Sequence, residues 1–600
     1  MPTVLHRLAR WADSSPDAPA QRYKEKGVWK TITAREFSDA VYHLALYFES
    51  QGITAKDGGC IYSANCPQWV HVDLATLLMG ARSAGIYPNS TPKEIVYVLE
   101  HSDASLLSVQ NKDFFKKMLG EKNEVALPKK IKRIISFDND ASFHENAVTY
   151  KAALAEGARL ASHPGAKKLT DYLGAIDPHA GCFMIYTSGT TGTPKGALLS
   201  HDNFTFTADA VAKTWDFRME DCDLFSFLPL CHVAEKLQNV AVGISQHYAV
   251  NFATKFDNVS KELPEVQPQL LLCVPRLWEK MMEGVLDKVS RSPAPRRALA
   301  HWALGVGARI ADAKFARKLP NPLDHIQYKL ADKLVLSKIR FALGLSRGET
   351  LASGAATLPA HVSKWFRSLG LELLEDFGQT ESTGVMCMTQ RGVESAGTVG
   401  KPMVGMEVKI AEDGELITRG RHVFKGYFKD QKSTDATVID GWLHTGDLAE
   451  MTDKGLIRIK GRKKEIMKTS GGKMVAPGPL EEKLKQASEI SQVCIVGDGR
   501  KYLSALFTLS EGFQADLKAG GRLPTAGAVT DKEVIGKVKA VVDTLNKELA
   551  SYEQIKRFTV LAREFSIEDG EMTPTLKMKR NVVEARYKDL IEQMYAGGAG

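Results

Sequence analysis

The chain has 600 residues, 44% hydrophobic and 25% charged, with a net charge of +8. That length exceeds one ordinary hydrophobic core, so at least two domains are expected, and the composition excludes extensive disorder. No apolar run approaches the ~20 residues of a membrane-spanning helix, and the start, MPTVLHRLARWADSS, lacks the apolar core and cleavage site of a secretory leader.

In chain order, the first half alternates helical stretches with short apolar runs such as SLLSVQ (105–110) and RIISFD (133–138), an α/β pattern. GCFMIYTS (181–188) is predicted to be a buried strand running into a Gly/Thr-rich loop, with a helix beginning near His201. Residues 285–340 are predicted to be mainly helical, interrupted at Pro293, Pro295, Pro320 and Pro322. This stretch holds twelve basic residues, Arg296, Arg297, Arg317 and Lys318 among them, against Asp287, Asp312, Asp324 and Asp332. Such a face is either merely solvated or draws the chain to anionic lipid heads or a polyanionic substrate. No zinc-finger, RNP or basic-zipper pattern points to nucleic acid.

From about residue 461 the texture changes. Residues 491–510 read as a hairpin around Asp498-Gly499, and the last hundred as lysine-rich helix, so a small C-terminal α+β domain is expected. The eight cysteines (Cys60, Cys66, Cys182, Cys222, Cys231, Cys273, Cys387 and Cys494) form no CxxC pair. Neither a zinc site nor a disulfide framework is indicated, which suits a reducing cytosol.

The most informative segment is YTSGTTGTPKG, Tyr186 to Gly196. Glycines let backbone N–H groups approach an anion, the hydroxyls of Thr187, Ser188, Thr190, Thr191 and Thr193 add donors, and Lys195 adds charge. A phosphate-binding loop follows. It is not a Walker A loop, because counting from Gly189 puts Pro194 at the second glycine and Gly196 where a Ser or Thr should hold magnesium.

This segment resembles the signature loop of the AMP-forming acyl-CoA synthetase, luciferase and adenylation-domain superfamily, whose further motifs follow in order over nearly the whole chain. The resemblance implies ATP phosphates held by Thr187, Ser188, Gly189, Thr190, Thr191, Gly192 and Lys195, and an adenine-side loop at Ser353, Gly354 and Ala355. Asp376, Phe377, Gly378, Gln379, Thr380 and Glu381 are similar to the YGxTE motif. By that match Thr380 bonds the α-phosphate and Glu381 holds Mg²⁺, a hard cation that favours carboxylate oxygen. Phe377 replaces the usual tyrosine, which keeps stacking on adenine and loses a hydroxyl.

GWLHTGD resembles the motif whose aspartate, here Asp447, accepts both ribose hydroxyls, and Arg462 follows fifteen residues later, also near the ribose. Lys464 takes the hinge position, and Ser470, Gly471 and Gly472 resemble the loop lining the pantetheine tunnel of coenzyme A. In TPTLKMKR, Lys577 takes the place of the catalytic lysine, a cation bridging the acyl carboxylate and the α-phosphate, with Lys579 and Arg580 as close competitors. His232, in LPLCHVAE, is either a gate beside the acyl pocket or a satisfied core histidine.

VPRLWEK (274–280) is similar to a run of the long-chain and bubblegum-type synthetases, which also carry a long helical insertion. The implied fold is α/β: an N-terminal domain of packed subdomains over 1–460, with a small β-barrel-like part, and a mobile C-terminal domain over 461–600. The implied reaction activates a fatty acid with ATP and Mg²⁺ to acyl-AMP and pyrophosphate, then transfers the acyl group to coenzyme A. Two alternatives stand beside it: a ligase that loads an acyl carrier protein, and an inactive lipid- or nucleotide-binding protein. Peripheral membrane association through 285–340 is a further expectation, and the oligomeric state stays open, a homodimer included.

Overall fold

The computed structural model describes residues 2–120, 124–187, 194–217, 221–395, 397–566, 568–573 and 577–596. Two large sheets dominate. In the first, strands Leu373–Phe377, Thr350–Ser353, Leu270–Cys273, Asp223–Ser226, Ala249–Phe252 and Pro19–Glu25 lie side by side and parallel, with antiparallel strands added at both edges. Leu270–Cys273 is buried at every position, the apolar run that a parallel strand covered on both faces requires.

The second sheet has a parallel centre of Arg82–Ile86, Gly58–Tyr62, Ala104–Val109 and Arg133–Ser136, extended by Gly181–Thr187, Lys195–Ser200 and Gly426–Tyr427. Helix Pro67–Leu78 touches strands of both sheets and is buried at Pro67 and from Trp69 through Leu78. Within it, the Asp73 carboxylate meets the Lys236 ammonium at 2.8 Å, both side chains at most 2% exposed. Ser83 Oγ donates to the same carboxylate oxygen, and the ammonium lies over the Trp69 and Phe183 rings. This pair ties the segment after His232 to the middle of the molecule.

The strands expected at 105–110 and 133–138 and the helix from His201 are present as Ala104–Val109, Arg133–Ser136 and His201–Thr214. The strand Lys195–Ser200 was not expected. It pairs antiparallel with Gly181–Thr187, Thr187 opposite Lys195. In the insertion, Pro295 and Pro322 do not interrupt helices but begin them, at the start of Ala294–Phe315 and Pro322–Ala331, where a missing N–H costs nothing.

The barrel-like part is not closed. Glu407–Ile410, Glu415–Arg419, Trp442–Met451 and Ile457–Arg462 form an open sheet ending on Val438–Ile439, and a two-residue edge cannot supply the tilt and stagger of a barrel. After Arg462 the chain turns through Lys463–Glu465 into a three-stranded sheet of Ile490–Val496, Leu503–Leu509 and Ile555–Leu561. The first two are the expected hairpin. The third corrects the expectation of helix throughout the last hundred residues: its alternating partners complete a core that the hairpin alone would leave open. Among the described residues no helix is long and apolar enough to cross a membrane, and all eight cysteines are free.

Candidate active site

The site residues gather where the first sheet, the second sheet and the C-terminal unit meet. Strand Leu373–Phe377 delivers Asp376 and Phe377, and the tight turn Thr380–Ser382 that follows holds Thr380 and Glu381 at 8% and 9% exposure. Gly378 must be glycine, since a Cβ there would stand 2.5 Å from the Gly384 carbonyl oxygen. Gln379 caps the turn: its N–H donates to Ser382 Oγ and its carbonyl accepts from the Gly384 N–H.

Beside this strand lies Thr350–Ser353, which ends in the loop expected to face adenine. A Cβ on Gly354 would meet Asp376 Oδ1 at 2.2 Å, so this glycine is what lets the loop lie against the carboxylate. Ala355 is held at φ +69°, and the buried Ser353 hydroxyl has no hydrogen-bond partner among the described residues. Burial pushes Asp376 up to about 7 and its neighbour Glu375 up to about 8.

Asp447 and Arg462 are registered cross-strand partners, joined by an ion pair of 2.9 Å from Nε to Oδ1. Burial raises Asp447 to about 6, against the opposing pull of Arg462 and Lys577. Lys577 is solvent-accessible yet stands in a crowded field. Desolvation and the Arg462 guanidinium lower its ammonium, while Asp447, Glu381 and Glu465 hold it up. The same ammonium contributes, after burial, to depressing His232 to about 4. Lys577 thus brings the C-terminal unit into the field of the Glu381 turn, the Asp447–Arg462 pair and His232. Of its two competitors, Arg580 is turned away into a pair with Glu481.

Lys195 points from the start of its strand toward the segment 427–433. Its Nζ is 2.5 Å from Ser433 Oγ and 3.8 Å from Asp430 Oδ2, and it lies over the Tyr427 ring. The Tyr427 hydroxyl in turn donates to Glu381 Oε1 at 2.6 Å. Tyr427 therefore stands between Lys195 and the Glu381 carboxylate. Sequence reasoning missed it. The only signal is a two-residue strand, Gly426–Tyr427, whose pairing with Lys195–Ser200 is not visible in one dimension. The Thr187 hydroxyl turns back onto the Lys195 carbonyl at 3.5 Å. Ser188, Gly189, Thr190, Thr191 and Gly192 lie outside the described residues.

His232 caps the helix Val233–Lys236, its Nδ1 accepting from the Ala234 N–H at 3.3 Å. Beyond it the chain widens into the π-helix Leu237–Val242, which forms one wall of a small apolar pocket of about 30 Å³. Val211, Trp215, Leu237, Leu272 and Val385 line it, and Asp376 stands at its polar end.

Not every expected residue is drawn in. Lys464 is exposed, while its neighbour Lys463 is anchored to Asp413 and Glu415 at 2.6 and 3.1 Å. Ser470, Gly471 and Gly472 are exposed and tied only within the C-terminal unit: the Ser470 N–H donates to the Arg500 carbonyl, and the Gly472 N–H closes a turn on Thr469 at φ +77°.

Comparison with known proteins agrees with this geometry. Residues 8–428 match the family model described as AMP-binding enzyme, and 464–599 match the AMP-binding enzyme C-terminal domain. The chain is 32% identical to the long-chain-fatty-acid–CoA ligase ACSBG2 of Gallus gallus, over 99% of this chain and 81% of that protein. It is 32% identical to the long-chain-fatty-acid–CoA ligase FadD15 of Mycobacterium bovis, over 95% of this chain and 93% of that protein. Among solved structures, the anthranilate CoA ligase AuaEII with anthranoyl-AMP superposes with a TM-score of 0.72 at 17% identity, covering 98% of both chains. The o-succinylbenzoate CoA synthetase of Bacillus subtilis with its acyl-adenylate superposes at 0.67 and 18% identity, over 96% of this chain and 97% of that one. At those identities the structures speak for the fold alone.

Proposed function

We propose that this chain, which belongs to the AMP-binding enzyme family, is a long-chain fatty acid–CoA ligase. A fatty carboxylate attacks the α-phosphorus of ATP, pyrophosphate leaves, and the thiol of coenzyme A then takes the acyl group from the adenylate and releases AMP. The first step needs little covalent help; positioning and charge stabilisation lower its barrier.

Lys577 carries this assignment. A single ammonium in the field of Glu381, Asp447 and Arg462 would stabilise the charge that builds between carboxylate and α-phosphate. Asp447 and Arg462 hold the ribose, Thr380 donates to the α-phosphate, and Lys195 with Thr187, Ser188, Gly189, Thr190, Thr191 and Gly192 takes the remaining phosphates. Ser353, Gly354, Ala355, Asp376, Phe377, Gly378 and Gln379 frame the adenine. The Glu381 carboxylate, oriented by Tyr427, would hold Mg²⁺. One carboxylate suits an ion that takes most of its ligands from phosphate and water, and when bound it neutralises phosphate charge.

The likeness to two long-chain-fatty-acid–CoA ligases over nearly the whole chain supports a long acyl chain, and the pocket beyond His232 is lined mainly by apolar side chains. For the second step we propose that residues 461–600 rotate against 1–460 about Lys464, which withdraws Lys577 and brings Ser470, Gly471 and Gly472 to line the pantetheine path. The anchoring of Lys463 on one side and the exposure of Lys464 support a pivot there. We also place the enzyme in the cytoplasm, docked peripherally on the inner face of a membrane through 285–340. Release of AMP, pyrophosphate and thioester, measured across acids of about two to twenty carbons, tests the assignment. Production of ADP and orthophosphate would overturn it.

A further inference from the structure

The insertion that carries the chain's positive charge also carries its exposed apolar surface. Of the fifteen large apolar side chains exposed among the described residues, eight lie between Leu286 and Phe341. Five of these, Leu323, Ile326, Leu330, Leu334 and Phe341, recur at spacings of three, four, four and seven. That spacing keeps them on one face of the run formed by Pro322–Ala331, Asp332–Leu336 and Ser337–Ala342. Their exposures run from 39% to 67%, and Leu319, in the turn before the first helix, is 97% exposed.

The opposite face is already used. Ala331 and Leu336 are fully buried, and Tyr328, Val335 and Ile339 pack on the core around Trp278 and Phe366. The run is therefore apolar on two sides, only one of which the protein covers. An uncovered apolar stripe of this extent marks an interaction surface.

The charges around it decide what covers it. Three of the insertion's four aspartates are paired internally: Asp287 with Arg291 at 2.9 Å, Asp324 with Arg309 at 2.8 Å and Asp332 with Arg340 at 2.7 Å. Lys314, Arg317, Lys318, Lys329, Lys333 and Lys338 are exposed and make no ion pair among the described residues. A second copy of this face would bring one set of free cations against another. An anionic lipid surface complements both features, the stripe entering the acyl boundary and the cations lying among the headgroups.

We propose that Leu319, Leu323, Ile326, Leu330, Leu334 and Phe341 insert into the interfacial layer of an anionic phospholipid bilayer, held there by the cations beside them. This specifies the membrane docking set out above, and it rests on the fatty-acid assignment only for its purpose, the uptake of an acid dissolved in the bilayer.

The test uses the full chain with phosphatidylcholine vesicles, with and without phosphatidylserine. The wild type should sediment with the anionic vesicles and be released by salt. Leu323→Ser/Ile326→Ser/Leu330→Ser should lose at least about tenfold in vesicle affinity, and each of Lys329→Gln and Lys333→Gln about fivefold. An Ile326→Trp variant should show blue-shifted emission that brominated lipid tails quench, which reports insertion without relying on the serine variant. The serine variant's activation of octanoate without vesicles should match the wild type, since the stripe lies outside the catalytic cleft. An active enzyme that ignores anionic vesicles, or a serine variant that binds them as the wild type does, overturns the docking. A wild-type dimer that the serine substitutions convert to monomer overturns it in favour of a self-contact. Failure to activate any acid overturns the ligase assignment instead, whatever the vesicles show.

Discussion

Arg462 Nε stands 2.9 Å from Asp447 Oδ1, and the two residues are registered partners on neighbouring antiparallel strands. The fifteen-residue interval between them is the length of chain needed to run down one strand, turn and return to the same rung. Asp447 is thereby fixed in orientation at 4% exposure, with one oxygen engaged and the rest of the carboxylate available to a diol.

That burial has a pH consequence. Asp447 is raised to about 6, and its ionised form is the acceptor of hydrogen bonds from two hydroxyls. Acidification through that value therefore weakens nucleotide binding. AMP should bind about tenfold more weakly at about pH 5 than at pH 7, measured by titration calorimetry. Asp447→Asn should bind weakly throughout and lose the slope between those values. A wild-type profile that is flat from pH 5 to 7 would contradict the assignment.

Lys577→Ala separates the two half-reactions. Removing a charged group that acts on the transition state costs on the order of 10²–10³ in rate, so pyrophosphate release should fall by that factor. Thioester formation from supplied acyl-AMP should stay within about twofold, because that step does not use the lysine in our scheme. Adenylation that survives unchanged would transfer the role to Lys579.

Tyr427→Phe tests the contact between Tyr427 and Glu381. Its hydroxyl orients the carboxylate, and losing a group that positions a metal ligand weakens metal affinity or activity by about 10–100-fold. The magnesium concentration for half-maximal pyrophosphate release should rise within that range, while the fold, judged by circular dichroism, is kept. An unchanged magnesium dependence would reduce the contact to packing.

The buried Asp73–Lys236 pair predicts an asymmetric stability effect. Asp73→Ala leaves an ammonium buried without its partner and should cost about 3–5 kcal/mol, seen as a large fall in melting temperature. Replacing both, as Asp73→Leu with Lys236→Met, should recover most of that loss. Equal destabilisation by the single and double variants would mean that volume, and not charge, sets the cost.

What the sequence by itself determined is local. The run GCFMIYT is apolar and short enough to be a strand, and Asp498-Gly499 closes a hairpin, because each outcome depends on neighbours within a few residues. The order of the motifs carried the chemistry as far as a list of residues. Tertiary structure alone decided which of them meet. Tyr427 reaches Glu381 only because a two-residue strand adds to a sheet edge, and Lys236 finds Asp73 only between two sheets built from distant parts of the chain. The same packing put Lys577 in the field of Asp447 while leaving Ser470, Gly471 and Gly472 exposed, and it opened the barrel-like part into a sheet. Such contacts arise from burial summed over the whole molecule, and no short window of residues contains that sum.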